Sequence, residues 1–299
     1  MSYSIPENHV QQFKANLRLL SQQKSSRLRR TVRDDGDIVG DRVHFDRLAA
    51  SEAQRITDRH SDTPLNNSEH SRRSAYMYDY DWAELVDKPD RLKTLYSPDN
   101  YYAMNGRAAL GRSIDDEIIT ALGGAAYGGV DGTTSSSFPS GNVVAVDDHT
   151  YDSGSGNTGM SITKLMVARD IIYGADVDED QKLYCALTQK ALSSLISGDS
   201  YRAANIDFAA VKALVNGEIN TLLGIEFIRI ERLNTDSNTY RECFVYTETA
   251  IGAGIPADIT VDIGPRRDKR NATQVYAMMS CGAVRIEDEH VVKILCASN

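Results

Sequence analysis

The most regular signal in the chain is a four-residue recurrence of apolar side chains over residues 98–122, where Leu110, Ile114, Ile118 and Leu122 fall on one helical face. Ser97 offers a cap, Pro98 suits a first turn, Asp99 complements the helix dipole, and Gly123 with Gly124 ends the run. The spacing predicts one helix of about 25 residues, roughly 37 Å long. Residues 7–23 repeat the theme on a smaller scale, with Val10, Phe13, Leu17 and Leu20 on one side. Between these two patterns the chain is highly charged. Val32, Ile38, Val43 and Phe45 are too thinly spread to close a core, so the segment reads as a long excursion, partly β-hairpin, that needs outside support.

Beyond residue 123 the pattern shortens. A Gly/Ser-rich stretch surrounds one short strand, "NVVAVDD", and a helix is expected over 161–173, stopped at Gly174. "KLYCALT" reads as a strand, "QKALSSLIS" as a helix, and "DFAAVKALVNG" as another helix with Gly217 beyond its end. "TLLGIEFIRIERL" and "RECFVYTETA" read as strands flanking the turn "NTDSNTY". "AIGAGI" amounts to one or two helical turns, and "ADITVDIG", "ATQVYAMMSCGAVRIE" and "HVVKILC" give three closing strands. The order shows no internal repeat and no regular βαβ alternation.

Composition narrows the class without naming a chemistry. Of 299 residues, 41% are hydrophobic and 25% charged, ordinary for a globular protein. No apolar run approaches the roughly 18 residues of a membrane span, and the N-terminus lacks a signal-peptide pattern, so a cytosolic origin is expected. The net charge of −9 conceals an Arg-rich front: residues 1–75 hold 13 Lys+Arg against 10 Asp+Glu, the rest 20 against 32. That distribution does not suit a duplex reader with a basic face. Cys185, Cys243, Cys281 and Cys296 lie far apart in apolar runs, as small buried hydrophobes rather than a disulfide framework or zinc set.

Catalytic signatures are missing. "GGAAYGGVDG" lacks the Lys-Ser/Thr pair of a phosphate loop, no serine sits in a nucleophile elbow, and the six histidines show no ligand spacing. "EDEH" reads as a hairpin turn and "DDE" at 115–117 as a solvated helix face. The cations of "RRDKR" (266–270) fall between two strands with no glycine-lined cradle, which makes them a hairpin or subunit-contact loop rather than a nucleotide site. No catalytic, cofactor-binding or metal-binding residue is expected.

The order of elements carries more information than any motif. "NIDFAAVKALVNGEINTLLGIEFIRIERL" (205–233), "AIGAGIPADITVDIGPRRDKRNATQVYAMMSCGAVRIEDEHVVKI" (250–294) and, less specifically, "AALGRSIDDEIITALGGAAYGG" (108–129) resemble the major capsid proteins of tailed bacteriophages, over about two-thirds of the chain. The resemblance implies an α+β chain with the Hong Kong 97-type fold. Residues 1–30 would be an N-terminal arm, 31–80 an extended loop, 81–175 a peripheral domain with the spine helix, 176–255 an axial domain and 256–299 peripheral strands. It implies a non-enzymatic protein that self-assembles, as hexamers and pentamers, into an icosahedral shell around double-stranded DNA contacted non-specifically. The location would be the virion, with assembly in the host bacterial cytoplasm and no membrane. An encapsulin-like compartment and a soluble enzyme are the rival readings.

Expected subunit-contact residues are Phe13, Leu17, Leu20, Arg27, Arg29 and Arg30 on the arm, and Arg42, Arg47, Arg55 and Arg59 on the loop. The arm is expected to order only on assembly. Some relatives cross-link a loop lysine to a neighbour's asparagine; no lysine lies between Lys24 and Lys88 here, so that linkage is not expected. A separate scaffolding protein, a portal and possible decoration proteins are the remaining expected partners.

Overall fold

The computed structural model describes residues 22–35, 40–55, 65–87, 99–151, 154–175, 177–178, 180–198 and 221–297. Its elements begin with β1 (Arg33–Asp35), β2 (Arg42–Leu48), β3 (His70–Tyr76), β4 (Tyr78–Val86) and the long helix α1 (Asp99–Gly123). Next come β5 (Ala126–Gly128), β6 (Thr134–Ser136), β7 (Val143–Val144), α2 (Ile162–Tyr173), β8 (Leu183–Leu187) and α3 (Gln189–Gly198). The chain closes with β9 (Thr221–Leu222), β10 (Ile225–Arg229), β11 (Arg241–Thr247), β12 (Ile251–Arg266), β13 (Ala272–Arg285) and β14 (Val291–Cys296). The expected helix over 207–217 and its Gly217 stop lie outside the described residues, as do the arm residues Phe13, Leu17 and Leu20.

These elements divide between two compact units. One comprises Met1–Ser25, Tyr80–Arg112 and Ile259–Met279; the other comprises Ser26–Asp79, Ser113–Asp258 and Ser280–Asn299. In the first unit β13 lies between β12 and β4. The helix reaches this sheet at Gly106, where a Cβ would stand 2.5 Å from a ring carbon of Trp82, so only glycine admits the indole. Gln22 Nε2 donates to Asn105 Oδ1 (2.9 Å), and Arg112 Nη1 donates to Gln22 Oε1 (3.0 Å) and the Gln23 carbonyl (3.1 Å). The loop between β12 and β13 holds Arg270 and Asn271 in left-handed backbone (φ 52° and 55°), which makes "RRDKR" the turn of a hairpin.

The second unit carries a six-stranded sheet in the order β7-β14-β11-β8-β10-β9, and an antiparallel sheet β2-β3-β5-β6. Every residue of β8 is buried, as expected of a strand covered on both faces. Helix α2 starts at Ser161, whose hydroxyl accepts from Lys164 N–H, and stops at Gly174. It lies on β14, β11 and β7. The smaller sheet closes on Val43, Phe45, Ala75, Ala126, Val284 and Ile286. Thus the thinly spread Val43 and Phe45 are completed in part by Val284 and Ile286, far along the chain. Leu110, Ile114, Ile118 and Leu122 are all buried.

Several local expectations need correction. "AIGAGI" is strand, because Gly252, Ala253 and Gly254 pair in parallel with Arg33–Asp35 and take their conformation from that partner. "TLLGIEFIRIERL" is broken at Leu223 and Gly224 (φ 56° and 78°), a two-residue left-handed turn that makes β9 and β10 an antiparallel pair. "NVVAVDD" contributes only two strand residues, because β7 meets β14 just at Lys293 and Ile294. Strand β14 is hydrogen-bonded between β7 and β11. Three parallel pairs are present, β1 with β12, β7 with β14 and β8 with β10, although no βαβ regularity was legible.

Candidate functional site

For a chain without catalytic signatures the functional elements are those expected to meet other subunits, so their placement is the first question. The arm's last residues are clasped by their own unit. Asp115 on α1 is fully buried and accepts from Ser26 Oγ (2.6 Å), Arg27 N–H (3.0 Å) and Leu28 N–H (3.0 Å). Ser26 Oγ accepts in turn from Arg29 N–H (3.0 Å), so one hydroxyl serves the first amide of the short turn Arg29–Thr31 while its proton satisfies the carboxylate. Leu28 and Thr31 are fully buried, and Thr31 Oγ1 lies 2.6 Å from the Tyr246 hydroxyl. Burial pushes the Tyr246 phenol well above its ordinary range.

This overturns one expectation. "DDE" is not a solvated face: Asp115 is buried beneath the arm, and Asp116 forms a two-pronged pair with Arg232. Sequence reasoning took three consecutive acids for solvent-facing ones, yet Asp115 follows Ile114 directly on the buried edge of the helix. Residues 26–31 make these contacts within the one chain.

The expected contact arginines divide in the same way. Arg27 Nη1 donates to the Arg229 carbonyl (2.5 Å), Arg29 pairs with Asp34 (2.9 Å) and Asp258 (3.3 Å), and Arg30 pairs with Glu226 (2.7 Å). Arg42 stacks over the Tyr76 ring at 4.7 Å and donates to the Asp131 carbonyl (2.5 Å). Arg47 donates to Ser71 Oγ (3.1 Å) and the Ile286 carbonyl (2.5 Å). Arg55 is exposed, and Arg59 lies outside the described residues.

Two buried cations escaped the sequence reading. Arg285 is fully buried: Nε donates to Asp288 (2.6 Å), Nη1 to the carbonyls of Gly124 (2.8 Å) and Leu122 (3.3 Å), and its guanidinium lies 4.9 Å from the Phe138 ring centroid. It therefore supplies the donors that the last carbonyls of α1 lack. Lys164 is equally buried, with Nζ donating to the carbonyls of Val146 (2.9 Å), Thr158 (2.9 Å) and Leu295 (3.0 Å). Desolvation lowers its pKa, and the three carbonyls tie α2, the loop before it and the end of β14 together. Both could have been found by period. Lys164 precedes Ala168 and Ile172 on the helix's buried stripe, and Arg285 continues the odd-numbered buried face of Val275, Ala277, Met279 and Cys281.

All four cysteines are free and buried. Among the described residues no cluster of His, Cys, Asp and Glu could hold a metal ion, and no helix is long and apolar enough to cross a membrane.

Comparison with known proteins places this arrangement. The capsid of Ralstonia phage GP4 superposes with a TM-score of 0.73 at 14% identity, covering 100% of this chain and 98% of that one. The capsid of cyanophage P-SCSP1u gives 0.71 at 12% identity (100% and 96%), and that of cyanophage Pam1 gives 0.71 at 11% (99% and 99%). At such identities the likeness is one of fold, the Hong Kong 97-type fold of these capsids. None of the curated proteins matches significantly in sequence. The family of phage capsid proteins, however, matches residues 5–298, nearly the whole length, and the chain belongs to it.

Proposed function

We infer that the chain is the major capsid protein of a tailed bacteriophage, repeated as hexamers and pentamers in an icosahedral head shell around packaged double-stranded DNA. The observation that carries this reading is the family match from residue 5 to 298. Its role is structural: many modest contacts, closed by symmetry. A scaffolding protein, a portal and decoration proteins are the partners such a shell calls for, and the site of assembly is the host cytoplasm. Residues 31–80, with Arg55 exposed near the middle of the loop, and the N-terminal arm are the segments proposed to reach neighbouring subunits. Arg27, Arg29, Arg30, Arg42 and Arg47 serve these segments by fixing them to their own chain first.

The test is purification of native particles, nuclease treatment and mass spectrometry of the surviving heads. The reading expects this chain as the dominant protein of particles that protect double-stranded DNA. Particles filled with protein cargo, or DNA-filled heads in which this chain is minor, would overturn it.

A further inference from the structure

The sheet that joins β12, β13 and β4 separates its charges. Its strands over residues 78–86, 251–265 and 272–284 hold five acids, Asp79, Asp81, Glu84, Asp258 and Asp262, and no lysine or arginine. The turn that closes β12 and β13 reverses the sign. There Arg266, Arg267, Lys269 and Arg270 stand against Asp268 alone, and all five are exposed. Arg266 and Asp268 pair with each other (2.9 Å). Among the described residues Arg267, Lys269 and Arg270 form no ion pair, and Asp87, exposed just past the end of β4, pairs with none of them. Even counted with Asp87, the turn keeps an excess of positive charge.

Part of the acidity lies on one open face. Ser280 Oγ on β13 donates to Asp79 Oδ1 on β4, so these two side chains share a face, and alternation adds Asp81 and Leu85 from β4 and Met278 from β13. Helix α1 lies against the opposite face, where Trp82 meets Gly106. The outer face is left uncovered: Asp79 and Asp81 are exposed, as are the apolar Leu85 (43%) and Met278 (42%). Neither aspartate forms an ion pair among the described residues. Ser280 stands ten residues from Arg270 along β13, roughly 33 Å of extended strand. Exposed charges are screened within about 8–10 Å in physiological salt. The acidic face and the basic turn therefore do not neutralise each other within one copy.

We propose that the basic turn 266–270 of one copy docks on the outer face of this sheet in a second copy, with Arg267 and Lys269 meeting Asp79 and Asp81. The proposal rests on the assembly reading above. Long cationic side chains suit such a face, because their stems lie along Met278 and Leu85 while their heads reach the carboxylates. Charge complementarity selects the occupant. A nucleic acid would satisfy the turn but leave the acidic face bare, whereas a second copy satisfies both. Turn and face are different patches of one chain, so the contact is heterologous. Each copy gives its turn to one neighbour and its face to another, an arrangement that rotation closes into a ring.

Charge exchange in the full-length chain tests this. Shells are counted by sedimentation and electron microscopy under one condition that assembles the wild type. Arg267→Glu with Lys269→Glu, and separately Asp79→Lys with Asp81→Lys, should each abolish shells or raise the subunit concentration they need by about tenfold or more. All four substitutions together should restore assembly. The four positions are exposed, so thermal unfolding of the free variants should stay within about 2 °C of wild type. If the Asp79 variant fails that control, Asp81→Lys with Arg267→Glu repeats the exchange. Normal shells from either charge-reversed pair, or a folded fourfold variant that stays unassembled, overturns the contact. Shells that form normally from the Arg267→Glu/Lys269→Glu chain but lose their DNA would assign the turn to nucleic acid and overturn it as well. A wild type that forms no shells under any condition refutes the assembly reading and this contact together, whereas equal assembly of wild type and variants refutes the contact alone.

Discussion

Asp115→Ala is the sharpest perturbation of the arm clasp. The carboxylate is fully buried and satisfies one hydroxyl and two backbone amides, those of Ser26, Arg27 and Leu28. Each bond to a charged acceptor contributes about 1.5–3 kcal/mol, and a buried N–H left without a partner costs about 1–3 kcal/mol. Removing the acid also relieves the cost of burying it, so the orphaned amides set the scale, and the expected loss is about 3–5 kcal/mol. Asp115→Asn keeps one acceptor oxygen but turns an amide N–H₂ toward a donor, for an expected loss of about 1.5–3 kcal/mol. Ser26→Ala, which removes one hydroxyl and the acceptor of Arg29 N–H, should cost about 1–2 kcal/mol. Urea unfolding of the unassembled subunit measures all three, with unchanged m-values showing that the unfolded state is unaltered. Hydrogen exchange adds a local readout, since the Arg27 and Leu28 amides should lose protection first. If Asp115→Ala and Ser26→Ala both fall within about 1 kcal/mol of wild type, the clasp does not hold the arm.

Three further outcomes follow from the same geometry. Arg285→Met should destabilise the subunit by about 3–5 kcal/mol, because it strips donors from the Gly124 and Leu122 carbonyls and breaks a buried pair; a loss below about 1 kcal/mol in urea would refute the capping role. Burial pushes the Cys281 thiol up to about 12, so the folded chain keeps a proton that the unfolded chain releases near pH 8.5, and stability must fall as pH rises above that value. Chemical unfolding between pH 8.5 and 10 should therefore show Cys281→Ala losing less stability than wild type, by about 1.4 kcal/mol per pH unit; identical slopes would contradict it. Deleting residues 1–30 should cost about 3–5 kcal/mol more than deleting residues 1–21, since only the longer deletion removes the Asp115 donors; equal urea midpoints would show those donors to be dispensable.

Much of the helical architecture was legible because its periodicity is local. Leu110, Ile114, Ile118 and Leu122 announce α1, and Ser161 with Gly174 brackets α2 to the residue. Strands were harder where the partner decides. Gly252, Ala253 and Gly254 carry little β-propensity and become strand beside β1, while Leu223 takes a left-handed conformation that its side chain disfavours. The clasp was illegible for a related reason. An acid on a helix is solvated by default, and only the return of Ser26–Leu28, almost ninety residues earlier in the chain, makes burial of Asp115 tolerable. Lys164 and Arg285 differ: both sit in phase with buried stripes, and a charge in that phase marks a cation committed to backbone carbonyls. The cations of "RRDKR" were placed correctly by their flanking strands, a local signal again.

The central claim is that copies of this one chain close into a shell. Electron microscopy of the purified full-length protein, produced alone and with a candidate scaffolding protein, tests it most directly. The account predicts closed, regular icosahedral particles whose subunit density fits the six-stranded sheet and the 25-residue helix α1. A homogeneous population of monomers or small oligomers under every assembly condition would contradict it.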